Sequence, residues 1–260
     1  MASAVTSKPA FVVRETGTMF AVTLDGLRDV PKIRVWWQEY LRQCWFIAKV
    51  TSIPAALVAI PFGMVIALHV GSFSRQLGAE SATGAAMVLA IVREAAPVVT
   101  ALLIAGAGGS AMTADIGSRK IRDEISAMEV MAVNPIGRLV TPRLLAATTV
   151  ALFLVSLVSV AGLLAGYIFN VYVQHVTAGA YFSGFTQLVQ LPDLWSSLAK
   201  AAVFGFIAAM VSCYKGLYCK GGPKGVGDAV NQGVVITFIL IFFVNFIMTT
   251  LYFALVPQKF

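Results

Sequence analysis

Apolar residues in this chain gather into five long runs, 46–70, 82–112, 144–173, 194–217 and 229–256, instead of alternating with polar ones. A helix rises about 1.5 Å per residue, so roughly 20 mostly apolar residues cross a hydrocarbon core of about 30 Å. Each run is long enough. None shows the apolar-polar alternation over about 10 residues that a transmembrane β-barrel requires. The pattern predicts an all-α membrane protein with five crossings. The third run carries no charged residue and is longer than the core needs, so it tilts or projects. Pro54 and Pro61 in the first run predict a bend, which membrane helices tolerate where neighbours re-satisfy the freed carbonyls.

Ahead of the first run a helical period returns. Val30, Ile33, Trp37, Leu41 and Cys44 share one stripe, while Arg28, Lys32, Arg34, Gln38, Glu39 and Arg42 occupy the other faces. This predicts an interfacial amphipathic helix over 25–45 that leads by a turn into the bilayer. A soluble helix packed on a partner would show the same pattern. Residues 1–24 read as a flexible segment. They lack the short apolar core and cleavage site of a secretory signal, so no removal is expected.

Composition agrees with membrane burial: 58% of residues are hydrophobic, 12% are charged, and mean hydropathy is +0.84. The net charge of +7 is unevenly placed. Lys8, Arg14, Arg28, Lys32, Arg34, Arg42 and Lys49 lie ahead of the first run or at its start. Arg119, Lys120, Arg122, Arg138 and Arg143 lie between the second and third, and Lys215, Lys220 and Lys224 between the fourth and fifth. Arg75 and Lys259 alone fall on the other side. Short cytoplasmic loops carry the Lys and Arg excess, so the N-terminus is expected inside, in the cytoplasm, and the C-terminus outside. The basic balance then reflects orientation and anionic lipid headgroups, not nucleic acid.

Cys44, Cys213 and Cys219 show no paired spacing and lie far from His69 and His175, so no metal site is expected. The costly residues are Arg93 and Glu94, about ten positions inside the second run, and Lys200 in the fourth. A central charge costs roughly 2.5 to 3.5 kcal/mol and normally faces a bundle interior, a partner or a water-filled path. All three fall at similar depth, near the outer ends of their runs. They line a substrate path, or they form a structural ion pair between Glu94 and Lys200 that docks two helices.

Small residues mark candidate helix contacts: Gly106, Gly108 and Gly109 in AGAGGSA, and Gly162 with Gly166 in a GxxxG arrangement. Beyond the first cluster, DIGSRKIRDEISAMEVMAVNP over 115–135 reads as one cytoplasmic helix. Ile121, Ile125, Met128 and Ala132 share a face, Arg119 with Asp123 and Lys120 with Glu124 stand four apart, and Asn134-Pro135 supplies the stop. Such a helix suits docking onto a cytoplasmic protein; a solvated connector would carry the same periodicity.

The stretch REAAPVVTALLIAGAGGSAMTADIGSRKIRDEISAMEVMAVNP resembles the signature of the MlaE/YrbE permeases of ABC lipid transporters. The likeness runs from about Trp36 to the end and is densest from Arg93 to Pro135. Within that family it resembles the YrbE A-type subunit of mycobacterial Mce lipid-import systems. The resemblance implies an interfacial helix, a five-span permease domain over 46–260, and a coupling helix at 115–135 that seats on a cytoplasmic ATPase. It further implies a permease dimer, here a heterodimer with a second YrbE-type permease, a cytoplasmic ABC ATPase dimer, MCE-domain proteins outside, and a lipid substrate such as a fatty acid or sterol.

Carried onto this sequence, Arg93, Glu94 and Pro97 match the family's R-E-x-x-P, and Asp115 and Gly117 its A-E-I-G element. Asp123, Glu124, Met128, Glu129 and Met131, with Ile121 and Ile125, fall on the implied ATPase-coupling helix. Ala107 stands where the family often has Arg, Asp123-Glu124 replaces its E-Q, and Asn134-Pro135 its D-P. These departures fit a subunit specialised within a heterodimer. The chain has no GxxxxGK[ST] phosphate loop, so it is not an enzyme and binds no cofactor itself; ATP and Mg belong to the partner ATPase. A proton-coupled secondary transporter using Glu94, or a membrane scaffold for MCE proteins, are the competing readings. Five crossings without an evident inverted repeat disfavour the first.

Overall fold

The computed structural model describes residues 7–79, 82–185 and 190–256, and every regular element among them is helical. In chain order these are α1 (Ser7–Arg28), α2 (Ile33–Gln76), α3 (Thr83–Ile121), α4 (Glu124–Val130), α5 (Ile136–Val173), α6 (Ala178–Phe185), α7 (Leu191–Leu217) and α8 (Gly222–Leu255). Five of them, α2, α3, α5, α7 and α8, are long and apolar enough to cross a membrane. The all-helical architecture with five long apolar helices expected from the hydropathy pattern is therefore the one observed.

The region before the first crossing differs from the expectation. The predicted helix over 25–45 is interrupted by a short 3-10 turn, Val30–Lys32, and from Ile33 onward the chain continues without a break into the long α2. Pro31 explains the position: it has no N–H to give, and it disfavours helical backbone at Val30. The separate preceding helix is α1, which occupies most of the segment expected to be flexible; residues 1–6 of that segment lie outside the described ones. α1 is tied to the bundle because Met19 and Val22 are buried, Thr141 donates to the Gly26 carbonyl at 2.8 Å, and the Thr18 and Tyr214 hydroxyls stand 3.1 Å apart. Further on, α2 remains helical through both Pro54 and Pro61.

α5 is the centre of the bundle and packs on both α2 and α7. Close approach depends on missing side chains: a Cβ on Gly63 would stand 2.5 Å from the Gly162 carbonyl oxygen, and one on Gly205 would stand 2.8 Å from that of Ala147. Of the glycines singled out above, Gly108 lies against Thr51 and Ile47, Gly109 against Ser212, Gly162 against Ile91 and Gly166 against Met87. Gly106 is nearly open, its nearest neighbour being the Phe238 ring at 4.0 Å. Thr51 and Thr237, buried within the apolar helices, donate to their own helices, to the Ile47 carbonyl at 2.8 Å and the Gly233 carbonyl at 2.7 Å.

Two helices are unevenly covered. In the most apolar window of α3, 56% of residues are buried, against 11% in α8, whose Phe242, Phe243 and Phe246 point outward. At the end remote from the basic loops, α6 folds back over α3. Tyr181 is fully buried there among Tyr167, Phe182 and Phe185, and burial pushes its phenol up to about 12. Arg75 donates to Gln174 at 2.5 Å, and Gln174 to the Ala67 carbonyl at 3.0 Å, fastening α2 to the end of α5.

Candidate functional site

α3 is not a uniform α-helix. It contains two π-helical turns, Leu89–Ala95 and Ile104–Gly108, and the first carries Arg93 and Glu94. The local cause is Pro97: it has no N–H for the Arg93 carbonyl four residues back, so the ordinary ladder is interrupted there. The freed carbonyl receives the Lys200 ammonium from α7 at 3.2 Å. Sequence and tertiary structure meet at this oxygen.

Lys200 completes its shell with both Glu94 carboxylate oxygens at 3.0 Å and the Thr249 hydroxyl of α8 at 2.8 Å. Arg93 lies 3.7 Å from Asp193 and 4.0 Å from Glu94, and its guanidinium stands 4.5 Å from the Tyr252 ring centroid and 4.1 Å from that of Phe253. The Tyr252 hydroxyl donates to Asp193 at 2.6 Å. Asp193 is held by the start of α7, where its other oxygen accepts the Gln190 N–H at 2.8 Å in a capping box. Two cations and two carboxylates thus share one network across three helices. The balance matters because an isolated buried charge is far more costly than a paired and hydrogen-bonded one.

Exposure separates the four. The side chains of Arg93, Asp193 and Lys200 are at most 8% exposed, whereas that of Glu94 is 40% exposed. Glu94 is therefore the member that another molecule can reach.

The three intramembrane residues singled out from the sequence are brought together. Asp193, Thr249 and Tyr252 were missed. Asp193 carried a legible signal, because Leu191-Pro192-Asp193 places Pro in the first turn of a helix and an acid at its third position. Thr249 and Tyr252 had none: a threonine hydroxyl in an apolar run usually bonds its own helix, and a tyrosine near the end of a span usually meets the interface.

At the basic end the predicted single helix over 115–135 is divided: α3 ends at Ile121, Asp123 adopts a left-handed φ of 55°, and α4 begins at Glu124. The predicted apolar face is divided, with Ile121 and Ala132 exposed and its other two members turned inward. Ile125 is buried and Met128 packs on the chain's own core, while Gly117 is buried beside Val226 and Cys219. Asp115 binds Arg143, which is fully buried, and lies 3.3 Å from Arg119. Glu124 is engaged by Arg122 at 2.7 Å. These residues hold α3, α4 and α5 together. Ile121, Asp123, Glu129, Val130 and Met131 remain exposed, with Val130 at 89%.

Five helices long and apolar enough to cross a membrane, three of them joined by a charge-balanced cluster, define a multi-span membrane protein. Residues 40–251 match the family described as Permease MlaE, and the chain belongs to that family. A probable ABC transporter permease protein of Rickettsia typhi is 35% identical over 240 residues, covering 92% of this chain and 93% of that one. Another from Synechocystis is 33% identical over 203 residues, 78% and 77% of the two chains. Protein TRIGALACTOSYLDIACYLGLYCEROL 1, chloroplastic, of Arabidopsis thaliana is 27% identical over 225 residues, 86% of this chain and 64% of its own. The chain is thus an ABC transporter permease subunit, a multi-pass membrane protein that works with a partner ATPase and is not itself catalytic.

Proposed function

We propose that this permease is the membrane half of a Mce-type lipid importer, resembling a mycobacterial YrbE A-type subunit, and that it carries fatty acids, sterols or related lipids across the cell membrane. The observation that carries this reading is the position of Glu94: a part-exposed carboxylate on a π-helical turn, backed by a fully engaged Lys200. π-helical turns concentrate at functional sites. A lipid headgroup moving past the bundle meets Glu94 first, while Arg93 and Lys200 hold its helix in place. The lipid in the name of the Arabidopsis relative supports the substrate class.

The exposed surfaces suit the partners of this reading. A second YrbE-type permease covers the outward face of α8, where Phe246 is 71% exposed, and the two subunits enclose the lipid path as a heterodimer. A cytoplasmic ABC ATPase dimer seats on Asp123, Glu129, Val130 and Met131, with Ile121 at the edge of the contact. Asp115, Gly117, Glu124, Ile125 and Met128 transmit its movement into α3 and α5 from within the chain. ATP and Mg belong to that partner. MCE-domain proteins stand at the other end, beyond α6. The Lys and Arg excess supports an orientation with the N-terminus in the cytoplasm and the C-terminus on the periplasmic side.

Reconstitution tests the whole reading. The permease pair with its ATPase and MCE proteins, in vesicles, should move a fluorescent fatty acid or sterol only with ATP, and Glu94→Gln should slow that movement without releasing the ATPase. Movement independent of ATP, or an unchanged rate in the variant, would overturn it.

A further inference from the structure

A second site lies at the opposite end of the bundle from Glu94, between α1, α7 and the start of α8. It consists of two adjoining cavities with unlike walls. One, of about 620 Å³, is polar and includes Arg14, Thr18, Lys220 and Asp228 in its lining. The other, of about 370 Å³, is apolar and is walled by Phe20, Phe206, Met210, Ile236, Leu240 and Val244. Glu15, Tyr214 and Lys215 line both, so the two chambers meet along one seam. Each volume falls in the range of ligand pockets.

The seam is built, not incidental. Lys215 has only 11% of its side chain exposed, lies 3.7 Å from Glu15 and donates to Gln232 at 3.3 Å, so one lysine joins α7 to both α1 and α8. The Thr18 and Tyr214 hydroxyls close the contact at 3.1 Å. Lys215 and Glu15 neutralise each other. Arg14 and Lys220 have no ion-pair partner among the described residues, and they face the polar chamber together with the Asp228 carboxylate.

We infer that this double cavity binds a glycerophospholipid of the membrane leaflet on the basic side of the protein, with its phosphate beside Arg14 and Lys220 and one acyl chain in the apolar slot. Dimensions support this occupant: from Gln232 at the polar end to Val244 at the apolar end, α8 advances about 18 Å, against about 15 Å for one leaflet of a 30 Å core. Charge supports it too, because cations at the membrane surface attract anionic headgroups. Asp228 can accept a hydrogen bond from a headgroup hydroxyl or amine, which favours phosphatidylglycerol or phosphatidylethanolamine over phosphatidylcholine. The inference rests on the reading above for the orientation of the chain alone. Its role is to pin α1 to α7 and α8 when the right lipid is present.

Photolabelling tests it. The full-length chain is placed in phosphatidylcholine vesicles containing a minor fraction of phosphatidylglycerol with a diazirine in its acyl chain. Label is expected on Phe206, Met210, Ile236 and Leu240. Arg14→Glu combined with Lys220→Glu should lower it roughly tenfold. Leu240→Trp, which fills the slot and alters no charge, should lower it as well. The site is overturned if a phosphatidylcholine probe labels equally, if neither change reduces labelling, or if excess inorganic phosphate displaces the lipid. Absence of label from the slot gives it to a partner protein and likewise overturns the proposal. An unlabelled slot in the parent chain with ATP-driven lipid movement intact refutes this site alone; labelling of the parent without such movement refutes only the transport reading.

Discussion

The Lys200 ammonium lies 3.2 Å from the Arg93 carbonyl oxygen, the acceptor that Pro97 leaves without its helical donor. One bond thereby joins a break in the α3 ladder to the only lysine on α7 that is set deep among the spans. The consequence is directional: the site needs a donor at position 200, and opposite charge at positions 94 and 200 is not sufficient.

Charge exchange between Glu94 and Lys200 should therefore fail to restore the parent. Glu94→Lys with Lys200→Glu keeps the ion pair but sets a carboxylate against the Arg93 carbonyl, where Lys200 had donated. A buried acceptor left unsatisfied costs about 1 to 3 kcal/mol, so the detergent-solubilised double variant should unfold at a lower temperature than the parent protein. Equal thermal stability of the two would show that charge alone matters.

Removing the Tyr252 hydroxyl isolates another bond. Tyr252→Phe keeps the ring beside Arg93 and deletes the 2.6 Å hydrogen bond to Asp193. Hydrogen bonds to charged groups contribute about 1.5 to 3 kcal/mol, which lowers Tm by roughly 3 to 10 °C in a chain of this size. Asp193→Asn should cost more, because it also removes the countercharge of Arg93. A reversed ranking in a thermal melt would contradict the network described above.

A side chain at Gly63 should be disruptive. Its Cβ would fall 2.5 Å from the backbone oxygen of Gly162, a contact that no rotamer change can relieve. Gly63→Leu is expected to abolish assembly, whereas Gly106→Ala, in open space, should leave expression and melting unchanged. Size-exclusion chromatography of both variants decides the point.

Docking of the ATPase can be tested on residues that the chain does not use internally. Val130→Asp and Met131→Asp remove apolar groups whose full burial contributes roughly 1.5 to 3 kcal/mol each, so ATPase co-purification should fall at least tenfold with the permease fold intact. Glu124→Lys is a poorer probe because it breaks the bond to Arg122 first. Undiminished ATPase capture by both aspartate variants would move the contact elsewhere.

The buried Tyr181 sets an alkaline limit. Its phenol titrates near 12 when folded and near 10 when exposed, so burial favours folding fully below pH 10, and this contribution is lost as pH rises towards 12. Tyrosinate absorbance above pH 10 should lose one late-titrating component in Tyr181→Phe. Early titration of every tyrosine would mean that the cap formed by α6 is open.

The number of crossings, their helical nature and the identity of the costly residues were legible in the chain, because hydrocarbon thickness and the expense of buried charge act on composition and length alone. The cause of the π-helical turn, Pro97, was legible there as well. What those local features do depends on how the helices meet. The glycines at 63 and 162 became a crossing only when α2 packed on α5, and periodicity could not tell whether Ile125 and Met128 faced a partner or their own core. Asp193, Thr249 and Tyr252 joined the site through contacts between helices distant in sequence, which no spacing within one helix records. The helix ahead of the first crossing shifted from 25–45 to Ser7–Arg28 for a similar reason: α1 is held by Thr141 and Tyr214, and the amphipathic stripe that continues into α2 carried no trace of either.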